Sequence, residues 1–320
     1  MSHPITINEY IIVQEFYGHG KVLLTGEYGI LDGAKAIALP TQFGQKLKVK
    51  KIKSSDLMWE SINADGEKWF EAQISLYDFS SVKTTNQKLS DYLQNILKNT
   101  VRLNSDFLSK WNGFRVTTEL EFDKNWGLGS SSTLTYLIAK WADVNPLLLH
   151  FKISEGSGYD VACAGAEGPI QYSVQNDEVS YNHINFNPAY RNKLYFVYLG
   201  NKVDSNISVR DYLKNVKGRK KLAREITKIT DATLECSSFG KFAELVDDHE
   251  NIMSKALDLP KVKDKLFKDY WHCVKSLGAW GGDFALVLSE KPAEETKEYF
   301  AHKGHKICIP YDEFVLQSED

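Results

Sequence analysis

A glycine- and hydroxyl-rich stretch, residues 127–133, constrains the fold of this chain most strongly. Apolar residues follow it at helical spacing, so the stretch should open a helix. These residues are Leu134, Leu137, Ile138 and Trp141. The first N–H groups of a helix have no partner inside it and attract negative charge. Because glycine lets the backbone approach a ligand closely, this helix start predicts an anion site with phosphate as its natural ligand.

The stretch does not follow the two common phosphate-loop patterns. The Walker spacing that ends in Gly-Lys-Ser/Thr is absent, and so is the dinucleotide fingerprint. A plain turn with a serine cap has similar residues, so the local sequence leaves both interpretations open. In the phosphate-site interpretation, a hydroxyl of Ser131 or Ser132 supplies a ligand for Mg²⁺. The predicted nucleotide-binding residues are Gly127, Leu128, Gly129, Ser130, Ser131, Ser132 and Thr133.

Two further glycine clusters, residues 156–160 and 278–282, lie at predicted element junctions. Each alone is typical of a turn or cap, but convergence of three such loops on one ligand is the economical explanation. Asp160 in the first cluster either bonds its own backbone or orients an acceptor hydroxyl during phosphoryl transfer. Lys21, at a strand start, is either a solvated edge residue or a group that neutralises charge on phosphates.

Composition limits the class of protein. A length of 320 residues allows two domains, and 42% hydrophobic with 25% charged residues is an ordinary globular balance. The net charge of −3 gives no field that attracts nucleic acid or an anionic membrane, so neither is a predicted partner. Four scattered cysteines and the lack of a signal peptide predict a cytoplasmic protein. The sequence leaves the oligomeric state, including a homodimer, open.

The order of apolar patterns predicts an α+β fold. Extended patterns up to residue 79 precede an amphipathic helix near residues 89–101, a strand at 114–120 and then the glycine-serine helix. The second half begins with a strand near residue 194 and continues mainly with helical periodicity, including a helix over 262–277. A polar link that contains Pro188 separates the halves. We therefore expect domains at residues 1–187 and 188–320.

Three segments together resemble the signature motifs of the GHMP kinase superfamily. They are residues 20–28 with 31–33 after them, residues 127–133, and residues 278–283. The resemblance implies an N-terminal domain like ribosomal protein S5 domain 2 and a C-terminal ferredoxin-like αβ sandwich. It also implies ATP and Mg²⁺ as cofactors, with ATP in the cleft between the domains.

Within the superfamily, the details are most similar to the mevalonate branch. This similarity implies a small anionic or hydroxyl-bearing acceptor, phosphomevalonate or mevalonate, with Asp160 and Lys21 as the catalytic residues. Acceptor-binding residues would be Glu27, Lys202, Ser205, Ser208, Asn251, Gly281 and Gly282. Glu155 and Glu27 are candidate Mg²⁺ partners besides the two serines, and a plain surface charge is the alternative interpretation of Glu155. Three alternatives stay open: a diphosphomevalonate decarboxylase, a sugar kinase of the same superfamily, and a non-catalytic ligand sensor.

The chain also departs from the superfamily pattern. His19 stands where a proline is usual, and Trp280 and Asp283 replace small residues and glycine in the third motif. The segment between the serine loop and Asp160 is short, so a helix there is expected to be reduced or lost. We expect Trp280 to fill the domain interface rather than to stack on adenine.

Overall fold

A computed structural model describes residues 13–109, 112–175, 178–200, 205–280 and 282–318, with the side chains of 205 and 206 left out. Within these ranges the chain forms twelve strands and ten α-helices. The strands are β1 (Val13–Thr25), β2 (Ala36–Ile52), β3 (Asp56–Ile62), β4 (Lys68–Ser75), β5 (Ser81–Thr84), β6 (Gly113–Leu120), β7 (Ile170–Gln175), β8 (Glu178–His183), β9 (Leu194–Tyr198), β10 (Val274–Ser276), β11 (Phe284–Leu288) and β12 (Cys308–Pro310). The helices are α1 (Gln87–Leu103), α2 (Ser130–Trp141), α3 (Pro146–Ile153), α4 (Tyr159–Ala164), α5 (Ser205–Asn215), α6 (Arg219–Leu234), α7 (Phe239–Leu257), α8 (Val262–Leu266), α9 (Ala293–His302) and α10 (Tyr311–Phe314).

The first sheet is built around the long strand β2. It pairs antiparallel with β1 along most of its length, with β6 at one end and with β7 at the other. Strands β3, β4 and β5 continue the sheet beyond β6, and β8 closes it beside β7. Helices α1 and α2 cover one face, because Leu97 and Ile138 pack with Trp59 of β3 in one buried cluster. The helix predicted near residues 89–101, the strand predicted at 114–120 and the helix predicted after the glycine-serine stretch are confirmed.

Helix α3 lies between the glycine-serine helix and Asp160, where a reduced or lost helix was expected. It is eight residues long and begins at an Asn-Pro pair. The Asn145 side chain accepts hydrogen bonds from the N–H groups of Leu147 at 2.9 Å and Leu148 at 3.2 Å. Proline suits the first turn because its missing N–H has no helical partner there. The Asn-Pro pair therefore begins α3, whereas α2 has already ended at Trp141.

The second sheet is smaller, with the order β10, β11, β9, β12 and antiparallel pairing throughout. The prediction of one helix over 262–277 is wrong, since α8 ends at Leu266 and Val274–Ser276 form β10. Phe267, Tyr270 and Val274 all enter one buried cluster, which gave the sequence its helical periodicity. Pairing of β10 with β11 decided the structure instead.

A joint core connects the two sheets. It contains Leu24 of β1, Phe196 of β9, Leu286 of β11 and Phe314 of α10. The segment after α10 returns to the first sheet, where Val315 bridges Thr41 and the Leu316 N–H donates to Pro40 O at 2.9 Å. The α+β class with a large and a small sheet is confirmed, and the boundary at residues 187 and 188 stays a prediction. Among the described helices, none is both long and apolar enough to cross a membrane.

Candidate active site

The three glycine-rich loops meet at one cleft, as expected. Gly127, Gly156 and Gly278 all line it, together with Lys21 and Asp160. The empty volume is about 1040 Å³, including the part open to solvent. The cleft therefore gathers residues of both halves of the chain, which is a common position for a small-molecule site.

Backbone conformation shapes the loop before α2. Gly127 and Gly129 have φ of 68° and 90°, in the left-handed region that favours glycine. The Lys21 N–H donates to Leu128 O at 2.9 Å, and the Lys21 Nζ donates to Gly127 O at 2.9 Å. Strand β1 therefore holds the loop with both the backbone and the side chain of one lysine.

The hydroxyl groups at the start of α2 differ in what they contact. Ser132 Oγ donates to Gly129 O at 2.8 Å, and Thr133 Oγ1 donates to Gln45 Oε1 at 2.6 Å. Both side chains are buried, whereas Ser131 is exposed. Thr133 is thus tied to the first sheet. Gly127 and Leu128 of the predicted phosphate stretch line the cleft, whereas Gly129, Ser130, Ser131, Ser132 and Thr133 are not among its lining residues.

Lys21 is a cation in this cleft. Burial alone would lower the pKa of its ammonium group, but Tyr159, Asp160 and Asp283 oppose this effect and hold the pKa above its ordinary value. The Nζ also lies 5.8 Å from the centre of the Tyr159 ring. A fixed positive charge therefore stands between two carboxylates at the edge of the glycine loop.

Asp160 lies in the first turn of α4. This helix begins directly after Gly158, whose φ is 81°. Its Oδ1 accepts the Val161 N–H at 3.0 Å, a bond that does not occupy Oδ2. The preceding loop is held in place by His150, whose Nε2 donates to Gly156 O at 3.1 Å. Tyr172 adds a second bond from its hydroxyl to Ser157 O at 2.5 Å. The carboxylate therefore sits on a rigid support beside Lys21.

The third loop is fixed by side chains. A Cβ on Gly127 would collide with the Asp283 carboxylate, so the two loops touch at this point. Trp280 has φ of 53°, is 6% exposed, and packs with Tyr28, Tyr212 and Met253. As expected, this tryptophan fills the interface between the halves.

Glu27 lies at the cleft, but its carboxylate is engaged by the protein. The side chain is buried, with Oε1 bonded to Lys275 Nζ and Oε2 lying 3.0 Å from His249 Nε2. Burial alone would raise the pKa of Glu27, but Lys275 and His249 hold it below its ordinary value. Glu27 is therefore an ion-pair partner rather than a carboxylate open to an acceptor.

Glu250 completes this buried group. Ser276 Oγ donates to Glu250 Oε2 at 3.3 Å. Burial raises the pKa of Glu250 to about 8, because the partial compensation by Lys275 is the smaller effect. Burial also lowers the pKa of His249, so this imidazole is neutral at pH 7. We call Glu27, His249, Glu250 and Lys275 the junction cluster.

Sequence reasoning did not find Lys275, His249 or Glu250. The available signal was a lysine within an otherwise uncharged segment, with Val274 before it and Leu277 two residues after it, because a buried lysine needs a partner. His249 and Glu250 also occupy positions at helical spacing from the buried Leu245 and Val246.

Two of the residues predicted to bind the acceptor, Ser208 and Asn251, lie in different places. Ser208 lies within hydrogen-bonding reach of the Tyr28 hydroxyl, and Tyr28 lines the cleft. Asn251 is exposed and accepts a hydrogen bond from Lys261 Nζ at 2.9 Å, so the structure does not bring it to the cleft.

The remaining predictions concern the metal and the acceptor. Glu155 is exposed and does not line the cleft, although both of its neighbours do. Gly282 is buried within the third loop, directly before Asp283. Lys202 and Gly281 lie outside the described residues, as does the side chain of Ser205.

Comparison with solved structures identifies the fold. A Methanococcus jannaschii mevalonate kinase aligns with a TM-score of 0.67 at 17% identity, over 95% of this chain and 99% of that chain. A Streptococcus pneumoniae phosphomevalonate kinase in complex with phosphomevalonate and AMPPNP aligns with a TM-score of 0.68 at 17% identity, over 92% of this chain and 99% of that chain. A Lactococcus lactis galactokinase complexed with galactose aligns with a TM-score of 0.69 at 12% identity, over 96% of this chain and 94% of that chain.

By sequence, no protein-family model matches this chain, and no curated protein matches it significantly. The class is therefore defined by structure: the chain has the fold of the GHMP kinases. Mevalonate kinase and phosphomevalonate kinase stand among its structural neighbours, as the motif resemblance implied. At 12–18% identity these likenesses establish the fold and leave the acceptor to be determined.

Proposed function

We propose that this protein is an ATP- and Mg²⁺-dependent kinase that phosphorylates a small acceptor, either phosphomevalonate or mevalonate. The observation that carries this proposal is the meeting of Lys21, Asp160 and the three glycine loops at one cleft. Left-handed glycines, a helix start and a cation form the arrangement expected around transferred phosphate.

Lys21 would act on the phosphoryl group during transfer. Its bond to Gly127 O places the ammonium beside the loop whose N–H groups would hold the phosphates. A fixed charge in a site shielded from water stabilises the negative charge of the transition state without reorganising at the moment of reaction.

Asp160 would orient the acceptor hydroxyl and accept its proton. The support by His150 and Tyr172 limits movement of the loop before α4, which suits a group that must keep its position relative to phosphate. Proton acceptance by a positioned carboxylate contributes about 10² to 10⁴ in rate.

Mg²⁺ suits the donors at this cleft. Within the described residues, no three His, Cys, Asp or Glu side chains form a preformed metal cage. Mg²⁺ in kinases needs few protein ligands because phosphates and water supply the others. Ser131 and Ser132 at the start of α2, together with the cleft carboxylate Asp283, would hold it, and it would neutralise charge on the phosphates.

The test is ADP release by purified protein with Mg²⁺-ATP. The acceptor panel contains mevalonate, phosphomevalonate, diphosphomevalonate, homoserine and common sugars. We expect release with mevalonate or phosphomevalonate and a product that carries one additional phosphate. Release of carbon dioxide with diphosphomevalonate would establish the decarboxylase instead, and release only with a sugar would establish a sugar kinase.

A protein that binds ATP but turns over none of these acceptors would contradict the proposal in favour of a sensor. The two favoured acceptors differ by one phosphate, and Lys202 is the predicted contact for it. Lys202→Ala should therefore raise KM for phosphomevalonate about tenfold or more and leave KM for mevalonate nearly unchanged.

A further inference from the structure

The junction cluster places four ionisable side chains where water is excluded. Glu27, His249, Glu250 and Lys275 are each at most 1% exposed. Burying an ion pair costs desolvation energy that often cancels its attraction, so such a pair is weak evidence for stability. Apolar residues could fill the same volume at similar or better stability, and the charges therefore suggest a different role.

The position of the cluster indicates that role. Glu27 comes six residues after Lys21, directly beyond the strand that carries it. Lys275 lies in β10, immediately before the third glycine loop, which ends at Asp283. The Glu27–Lys275 ion pair thus joins the strand of the cleft lysine to the loop whose carboxylate lies against Gly127.

The other members hold the pair in place. His249 Nε2 lies 3.0 Å from the second Glu27 oxygen, and Lys275 Nζ also donates to Ser276 O at 3.0 Å. The Lys275 ammonium therefore has a second bond that fixes its direction, and the His249 ring lies against the Glu27 end of the pair. Helix α7 contributes His249 and Glu250, so three elements distant in sequence meet at one point.

We propose that Glu27 and Lys275 are positioning residues that set the third glycine loop relative to Lys21 and the Gly127 loop. The inference rests on the proposed kinase function for its kinetic consequence only. Asp283 and Lys21 come from opposite ends of the chain, and the ion pair connects their two elements through buried contacts. Its loss should misplace the loop without removing any group that touches a ligand.

The experiment compares Glu27→Met, Lys275→Met and the double variant. Each single variant leaves a buried charge without its partner and should lower the unfolding midpoint strongly. The double variant removes both charges and should regain most of that stability. We expect its kcat to stay about 10- to 100-fold below that of the native protein, because small displacements in a positioned site cost that much. KM for the acceptor should change less than kcat.

A second readout does not depend on the activity. The Leu277 N–H donates to Phe284 O at 3.2 Å, and the Leu199 N–H donates to Asp283 O at 2.8 Å. In the double variant these amides should exchange with deuterium about tenfold faster than in the native protein. The matched control is the Lys48→Met, Glu119→Met double variant, which removes a half-exposed ion pair between β2 and β6. It should change neither kcat nor the exchange of these two amides.

The outcomes separate the two proposals. A double variant with native stability, native kcat and native amide exchange would overturn the positioning role. If the native protein neither binds nor turns over ATP, the kinase proposal fails. The amide exchange of the double variant then still decides whether the pair positions the loop.

Discussion

The cleft wall and the junction cluster use charged residues in opposite ways. At the cleft wall, Lys21 and Asp160 each make a contact with the protein backbone and also line open space. In the junction cluster, Glu27 and Lys275 are buried and contact each other. Charges of the first kind are arranged for a ligand, and charges of the second kind are arranged for the protein.

The loops beside these regions differ in the same way. The Gly127 loop takes its shape from glycines with positive φ. The third loop has a tryptophan at a positive φ, held by burial against Tyr28 and Met253. The conformation of the Gly127 loop therefore depends on the backbone freedom of its glycines, and the conformation of the third loop depends on tertiary packing. Substitutions in the two regions should therefore differ in whether they change activity or stability.

Asp160→Asn gives the largest expected effect and tests the cleft wall. The amide keeps the size of the side chain but cannot accept the hydroxyl proton, so kcat should fall about 10³-fold. Calorimetry with Mg²⁺-AMPPNP should find nearly unchanged nucleotide affinity, and the unfolding midpoint should stay the same. Asp65→Asn, at an exposed turn, is the matched control. Normal turnover of Asp160→Asn would remove this carboxylate from the mechanism.

Trp280→Ala tests the packed loop. Loss of a buried tryptophan should lower the free energy of unfolding by about 3–5 kcal/mol, measured by urea denaturation. Trp280→Phe, which keeps most of the apolar contact, should lose less. Equal stability of the alanine variant and the native protein would mean that the interface does not depend on this side chain.

Gly127→Ala tests the point where the two loops touch. The new methyl group would meet both an unfavourable φ and the Asp283 carboxylate, so nucleotide affinity should weaken about tenfold. Adding Asp283→Ala should relieve the collision but leave the strain of the backbone. Gly240→Ala is the control, because a Cβ there meets nothing within 4 Å. If Gly127→Ala and the control Gly240→Ala bind the nucleotide with equal affinity, the contact between the loops is contradicted.

The smallest effect concerns the pH dependence of the junction cluster. Glu250 has a pKa of about 8 when folded and an ordinary pKa when unfolded, so only the folded state keeps its proton between these values. Stability should therefore fall as pH rises from 6.5 to 8, by up to about 1.4 kcal/mol per pH unit from this group. The lowered pKa of His249 opposes this fall near pH 6.5, where the unfolded imidazole still binds part of its proton, and this opposition fades by pH 8.

Glu250→Gln should remove this slope. Urea denaturation at pH 6.5 and 8 measures it, with native protein and variant compared at each pH. Relative to the native protein, the variant should be more stable at pH 8 than it is at pH 6.5. A constant difference would mean that Glu250 is already ionised at pH 6.5.

The sequence predicted what depends on local pattern. Glycines 127 and 129, the periodic residues of α2 and the motif order led to the α+β class and to the convergence of loops. The ion pair of Glu27 with Lys275 joins residues 248 positions apart, and local pattern contains no information on such pairing. The helix predicted over 262–277 failed for the same reason, because β10 exists only through its pairing with β11.

The prediction that Asn251 binds the acceptor is one that the sequence itself could have corrected. Asn251 follows two buried polar residues on α7, yet its position on the helix turns it to the surface. Hydrophobic periodicity alone could have distinguished it from His249 and Glu250, since both of those share the buried face.

The return of residues 314–316 to the first sheet has a consequence for synthesis in the cell. Phe314 and Val315 belong to the joint core, but they are translated after every other strand and helix that contributes to it. The N-terminal sheet can fold on the ribosome while its apolar surface toward the second sheet is still uncovered. That surface is sealed only once the chain beyond residue 315 has left the exit tunnel, so the nascent protein should depend most on chaperones just before that point.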